Sequence, residues 1–501
     1  MRIIYLRIIC LLLIVLSLNA ACVSAAERTN IVFILADDYT FLALGTLGHP
    51  IVKTPNLDRL AEEGTLFSNA YYQGGWHGAV CVASRAMLNT GRFLWHAKSE
   101  MDRGFPKPDT SPDPVERQRY ESNFWSRLLH DSGYETYFAG KWHVDAQTVD
   151  GRQVSCVPVA PLFDHFGVVR NGGMPATVES AYNRPVEGDV DGWSPYDPQF
   201  QGHWIGGQHW AEVLADNATN EINTAMKSDK PFFLYLAFNS PHDPRQSPKE
   251  FVDMYPQEKM DVPPNFLPEN PFRIPMGCPP NGRDERLAPS PRTEYAVRVH
   301  RGEYYAMITH LDAQIGRILD ALDKSGKREN THIIFAADNG LAIGAHGLFG
   351  KQNMFEHSIK VPLIIAGPGL PKRNRIDTPV YMQDVMPTTL EIAGKEIPSH
   401  VQFKSLLPLL RGERTEQYTS IYGAYLPQAQ RMVRRGDFKL IVYPNAKTVL
   451  LYDLKNDPNE IENLANRPEH AQTVKELFAE LQRLQQEAGD PLKLDASVYS
   501  L

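Results

Sequence analysis

Cysteine is scarce in this chain, with 5 residues in 501, far below the density of a disulfide scaffold. Basic charge is not in surplus either. The chain has 51 lysines and arginines against 59 aspartates and glutamates, a formal net charge of -8. That balance excludes the broad basic footprint of a nucleic-acid binder, although a local cationic cluster could still hold an anion. Beyond the N-terminal segment no apolar run is long enough to span a bilayer. Internal repeats and low-complexity segments are absent from the sequence. What remains, 43% hydrophobic and 22% charged residues, is ordinary globular composition, enough for about two to four domains.

The N-terminus reads "MRIIYLRIICLLLIVLSLNAACVSAAER". Two arginines, a short apolar run and small residues ending at Ala25 form the layout of a secretory signal peptide over residues 1–25. The expected mature protein is exported, periplasmic or secreted, with no stable membrane span. Lipid attachment at Cys22 is the weaker alternative, because Asn19 stands where an aliphatic residue is usual. Removal of Cys10 and Cys22 leaves Cys81, Cys156 and Cys278, an odd number. Cys156 and Cys278 either pair or stay free, and Cys81 is the residue left over.

Four apolar, β-rich runs end in polar or glycine-containing sequence: "NIVFILADD" (30–38), "PFFLYLAFNSPHDP" (231–244), "HIIFAADNG" (332–340) and "VPLIIAGPG" (361–369). Such runs suit strands buried on both faces of a mostly parallel sheet. Helical patterns such as "NLDRLAEEG" and "EYYAMITHLDAQIGRILDALDKSG" alternate with them, which predicts an α/β fold with helices on both sides of the sheet. Ligands of such sheets lie off the carboxyl ends of the strands. The proline-crowded stretch 255–292 reads as a rim around a site. From about residue 416 the pattern changes to antiparallel strands ("MVRRGDFKLIVYP", "TVLLYDLKNDPNE") and a closing amphipathic helix. The expected organisation is a main domain over 26–415 and a small α+β subdomain over 416–501.

The polar tails carry the chemistry. Asp37, Asp38, Asp338 and Asn339 are hard oxygen donors, suited to Ca²⁺ or Mg²⁺ rather than zinc. His242 follows the second run, Lys141 and His143 end the strand-like "YETYFAGKWHVD", and Lys351 follows in "GAHGLFGKQNMFE". Singly, each acidic pair reads as a turn and each His or Lys as a solvated loop residue. Together, at strand ends, they predict a cationic pocket beside a metal, suited to a phosphate- or sulfate-type anion.

"CVASRAMLNTGR" (81–92) resembles the signature of the formylglycine-dependent sulfatases, with Ala83 in the usual proline position. "GYETYFAGKWH" resembles the family's second signature, and "FAADNGLAIGAHGLFGKQNMFEHSIKVPLIIAGPG" its metal and lysine segment. The likeness runs from about Asn30 to about residue 465. It implies an alkaline phosphatase-like fold and a sulfate ester substrate, a carbohydrate sulfate above steroid or choline sulfate. It also implies that Cys81 is oxidised to formylglycine by a formylglycine-generating or anaerobic sulfatase-maturing enzyme. One oxygen of the hydrated aldehyde would attack sulfur and the other would expel sulfate. By the same resemblance Asp37, Asp38, Asp338 and Asn339 bind Ca²⁺ (Mg²⁺ second) together with residue 81. Arg85 stabilises the nucleophile, and Lys141 and Lys351 grip sulfate oxygens. His143 assists proton removal and His242 protonates the leaving alcohol. His346 is either a supporting residue or a structural one.

Three rivals share some of these residues: a phosphodiesterase or phosphonate monoester hydrolase of the same superfamily, a sulfated-glycan binding protein with unmodified Cys81, and a cysteine hydrolase. The last has no use for an oxygen-ligated metal. Aromatic and histidine clusters at 74–80, 93–98 and 201–210 suit sugar rings or buried cores alike. Arg431, Arg434 and Arg435 either help to close the pocket or guard an edge strand.

Overall fold

The computed structural model describes residues 28–104, 113–144, 147–149, 152–154, 157–170 and 179–499. The leader at 1–25 and Cys156 lie outside the described residues. Each apolar run forms a strand of one large sheet: β1 (Asn30–Ala36), β2 (Gly64–Tyr71), β3 (Glu135–Lys141), β4 (His165–Arg170), β5 (Phe232–Ala237), β6 (Thr331–Ala337), β7 (Lys360–Ala366), β8 (Asn374–Ile376) and β9 (Val380–Tyr381). The strand order is β8-β2-β7-β6-β1-β5-β3-β4, with β9 also on β2. β1 is parallel to β5 and β6, and β3 is parallel to β5 and β4. All seven residues of β1 are buried, because helices cover both faces. The longest, Glu294–Ser325, starts on a Thr293 cap that accepts the Ala296 N–H and stops at Gly326 in the left-handed region.

Register decides where the polar tails meet. Ala36 stands opposite Ala337, Leu35 opposite Ala237, and Ala237 opposite Gly140. The residues that follow, Asp37, Asp338, Phe238 and Lys141, therefore leave the sheet along one edge. β7 differs from its sequence reading as one more strand of a parallel set. It runs antiparallel to both β6 and β2, so its "GPG" tail leaves from the opposite edge. The 338–359 segment before it doubles back along the site edge instead. A shift of register between Val361 and Leu363 accommodates Pro362, which has no N–H for the ladder.

Gly140, next to last in β3, has φ 108, and a Cβ there would collide with the carbonyl oxygen of Ala237. Gly140→Ala is expected to lower stability by about 1–3 kcal/mol through that strained backbone. A drop in Tm and in the urea midpoint would show it, and unchanged values would refute it.

After the Val385–Ile392 helix comes a second, smaller sheet: β10 (Ser420–Tyr425), β11 (Gln430–Arg435), β12 (Phe438–Tyr443) and β13 (Thr448–Asp453), antiparallel in sequence order. The Ala471–Glu487 helix packs on it. A fifth strand comes from far upstream. Gly74–Gly75 pairs parallel to β10, and Gly74 (φ 93) leaves no room for a Cβ against the Ala424 carbonyl. The small sheet is thereby tied to the chain a few residues before Cys81. Among the described residues no helix is long and apolar enough to cross a membrane. Cys278 is a free, buried thiol whose Sγ donates to the Gln352 carbonyl at 3.0 Å.

Candidate active site

Cys81 is the second residue of a helix, Val80–Thr90, in which every residue is buried. Small side chains let that helix sink into the core beside the sheet edge. Gly91 ends it, in the left-handed region with φ 67. The four-residue spacing puts Arg85 one turn along on the same face as Cys81. Arg85 Nε donates to Asp338 Oδ2 at 2.8 Å and Nη1 donates to the Lys141 carbonyl at 2.6 Å. Nη2 is buried and has no hydrogen-bond partner among the described residues.

Cys81 Sγ lies 3.4 Å from His143 Nδ1 and 3.6 Å from Lys141 Nζ. Burial outweighs the two nearby lysines and pushes the thiol pKa up. A thiol held neutral is a poor nucleophile, which counts against a cysteine hydrolase. Burial, with Lys141 and Arg85 adding to it, holds the His143 pKa well below the ordinary imidazole value. The ring is neutral and able to accept a proton.

Around this pair stand the oxygen donors. Sγ of Cys81 and carboxylate oxygens of Asp37 and Asp338 all lie within 4.8 Å of one another, and so do ligand atoms of Asp37, Asp38 and His242. Lys141 is paired with Asp37, and Lys351 Nζ spans both oxygens of Asp38 at 2.6 and 2.7 Å. Burial opposes ionisation of Asp37, but Lys141, His242, Arg85 and Lys351 hold it well below the carboxylate range. Asp338 behaves oppositely: burial and then Asp37 raise it to about 6. Asn339 Nδ2 donates to Asp38 Oδ1 at 2.7 Å. Asp37 Oδ1 and Asn339 Oδ1 are buried oxygens without hydrogen-bond partners among the described residues. Orphaned hard oxygens in a carboxylate cluster fit a divalent cation. Asp38 and His143 both take left-handed backbone, φ 64 and 44, a cost that functional sites commonly carry.

His242 approaches from the β5 tail. Nδ1 is 3.0 Å from Asp243 Oδ1, and Nε2 is 3.6 Å from Asp38 Oδ2. Burial works against a charged ring, yet Asp243 and Asp38 raise its pKa above the ordinary value. Asp37, Asp38, Cys81, Arg85, Lys141, His143, His242, Asp338, Asn339 and Lys351 are thus brought to one edge of the sheet.

Residues 29–395 match the family model described as Sulfatase, and residues 344–487 match the C-terminal model of N-sulphoglucosamine sulphohydrolase. The chain belongs to the sulfatase family. It is a sulfuric ester hydrolase. N-acetylglucosamine-6-O-sulfatase from Bacteroides thetaiotaomicron is 26% identical over 93% of this chain and 87% of its own length. A solved structure of a protein in complex with its substrate, D-glucosamine-2-N,6-O-disulfate, superposes with a TM-score of 0.69 at 24% identity, covering 93% of this chain and 99% of that one. The phosphonate monoester hydrolase of Agrobacterium radiobacter superposes at 0.68 and 22%, covering 92% and 96%. At these identities the structural likeness is one of fold.

Several residues of this sulfatase stand elsewhere than the substrate reading put them. Trp95 is buried and donates from Nε1 to the Tyr422 hydroxyl at 3.0 Å. Trp210 is also buried and donates to Asn239 Oδ1 at 2.9 Å. Both serve the core, not a sugar platform. Arg431 is fully buried and ion-paired with Asp490. Arg434 lies over Tyr71, and Arg435 is exposed at the strand end. None of the three lines the cavity that His77, Ala79 and Arg283 line just before the Cys81 helix. His346 stacks on Phe355 with ring centres 3.8 Å apart and meets Asn265 Nδ2 through Nε2, so it is structural.

Sequence reasoning missed Arg283, Asp284 and Gln352. The proline-rich excursion delivers the first two. Arg283 Nη2 meets His242 Nε2 at 2.7 Å, and Gln352 Nε2 donates to Asp284 at 2.6 Å. The only signal was "GRDE" inside a stretch already read as a rim.

Proposed function

We propose that this sulfatase is exported and hydrolyses a sulfate ester on a carbohydrate, with Cys81 matured to formylglycine by a dedicated enzyme and Ca²⁺ as the preferred metal over Mg²⁺. The observation that carries this reading is the placement of Cys81 between His143 and Lys141, on a helix whose Arg85 binds the carboxylate of Asp338. The carbohydrate class is supported by the relative named for N-acetylglucosamine 6-sulfate and by the neighbour bound to a sulfated glucosamine.

Asp37, Asp38, Asp338 and Asn339 would hold the cation, whose contribution is to stabilise charge building on the sulfate oxygens. Formylglycine, once hydrated, supplies two oxygens on one carbon, one to attack sulfur and one to expel sulfate. The chain's own groups do the rest. Lys141 and Lys351 balance the sulfate charge, and the unpartnered Nη2 of Arg85 is a donor for an oxygen at position 81. Neutral His143 accepts a proton from that position. His242, its Nδ1 held by Asp243, supplies a proton to the departing sugar oxygen.

Sulfate release from defined sulfated oligosaccharides, set against cleavage of an aryl phosphodiester and an aryl phosphonate, tests the reading. Faster turnover of a phosphorus ester than of any sulfate would overturn it. For the metal, Asp338→Ala is expected to lose bound Ca²⁺ and activity together, with indifference of the native enzyme to zinc-selective chelators. Stoichiometric Ca²⁺ in that variant, read by elemental analysis, would refute the ligand assignment.

A further inference from the structure

The cavity in front of the Val80–Thr90 helix holds hydrogen-bond donors that none of the described residues satisfies. It measures about 580 Å³, and His77, Arg283, Asp284, Gln352 and Tyr425 are among the residues that line it. Arg283 reaches into it with a side chain 43% exposed. Its Nε is committed to Asp284 at 2.9 Å and its Nη2 to His242. Nη1 makes no hydrogen bond among the described residues. His77 accepts the Ala79 N–H at Nδ1, 3.0 Å away, so the neutral ring carries its proton on Nε2. That atom is buried without a partner among the described residues. Burial, with Lys98 and Arg283, lowers the ring's pKa to about 4, consistent with the neutral donor.

Carboxylates in the same wall do not cancel this donor pair. Asp284 is buried and takes Arg283 Nε and Gln352 Nε2. Glu285, also buried, accepts the N–H groups of Phe349 and Gly350 at 3.1 and 2.8 Å and pairs with Arg292. Their lone pairs are turned to protein donors, whereas Arg283 Nη1 and His77 Nε2 are left for a ligand. Leaving the buried His77 Nε2 unpaired is costly, and an acceptor-bearing ligand removes that cost.

We infer that Arg283 and His77 form a recognition site for a second anionic group on the sugar, a carboxylate or a further sulfate, beside the ester that is cleaved. This rests on the carbohydrate sulfatase reading and narrows its substrate to sugars bearing two anionic groups. The planar guanidinium matches either oxyanion.

The test compares kcat/KM for matched pairs: 6-O-sulfated glucosamine with and without a 2-N-sulfate, and a sulfated disaccharide with and without a uronate carboxylate. The native enzyme is expected to favour one doubly anionic member by about 10- to 100-fold, the worth of a charge-assisted hydrogen bond. The pair that carries the ratio identifies the group. Arg283→Gln should bring the ratio close to one, and Arg283→Lys should restore part of it. Calorimetry of the uncleaved sugars on Cys81→Ala protein should give the same ratio as affinity. No preference in either pair, or a preference that survives Arg283→Gln, overturns the inference. If the native enzyme hydrolyses no sulfate ester, the sulfatase reading falls instead, while the affinity ratio still reports on Arg283.

Discussion

Cys81→Ala is expected to abolish hydrolysis of every sulfate ester and to leave the protein folded. The loss should be on the order of 10⁶ in kcat, as removal of a nucleophile costs elsewhere. Position 81 lies in a helix of small buried residues, where alanine is the best helix former, so the fold has no reason to fail. Chemistry does have a reason. A thiol that attacked sulfur would have no second oxygen from which to expel the sulfate, and burial already holds this thiol in its neutral form. Mass spectrometry of the peptide ending at Arg85, taken from active enzyme, should show an aldehyde in place of the thiol. Full activity with an intact thiol would end the formylglycine mechanism. Retention of the native circular dichroism and Tm by Cys81→Ala would separate lost chemistry from lost structure.

The second large effect separates two residues by leaving group. A sugar hydroxyl is a poor leaving group and needs a proton as the S–O bond breaks, whereas a nitrophenolate hardly does. General acid catalysis supplies about 10²–10⁴ in rate. His242→Ala should lose a factor of that size on a carbohydrate sulfate and much less on an aryl sulfate. Lys351→Ala should hurt both substrates alike, because Lys351, here bridging Asp38, is assigned to the sulfate they share. The comparison is of kcat/KM for both substrates in both variants, which reports transition-state stabilisation. Equal losses on the two substrates in His242→Ala would remove His242 from the acid role and leave it a sulfate-binding group.

Much of this site was legible in the sequence because its logic is local. Continuous apolar runs became buried strands, and in a parallel sheet the residues after neighbouring strands must leave from the same edge. That geometry alone brings Asp37 and Asp38 beside Asp338 and Asn339, with Lys141 along the same edge. The spacing of Cys81 and Arg85 fixed their common helix face in the same way.

Tertiary structure decided what periodicity cannot encode. The direction of β7 follows from the 338–359 segment, which doubles back along the site edge before it, not from its apolar run, which reads the same either way. Trp95, Trp210 and Arg431 have side chains equally suited to a sugar and to a core, and only their partners Tyr422, Asn239 and Asp490 distinguish the two. Gly74–Gly75 is too short to read as a strand, and its pairing with β10 is set by a chain segment some 350 residues away. Arg283 is the clearest case. It sits in an irregular proline-rich segment with no repeat to give it a direction, and the long-range packing of that segment puts its guanidinium against His242. The sequence alone therefore determined the family and the candidate residues that the sheet edge brings together. Which side chains face the substrate was decided by contacts between segments distant in the chain.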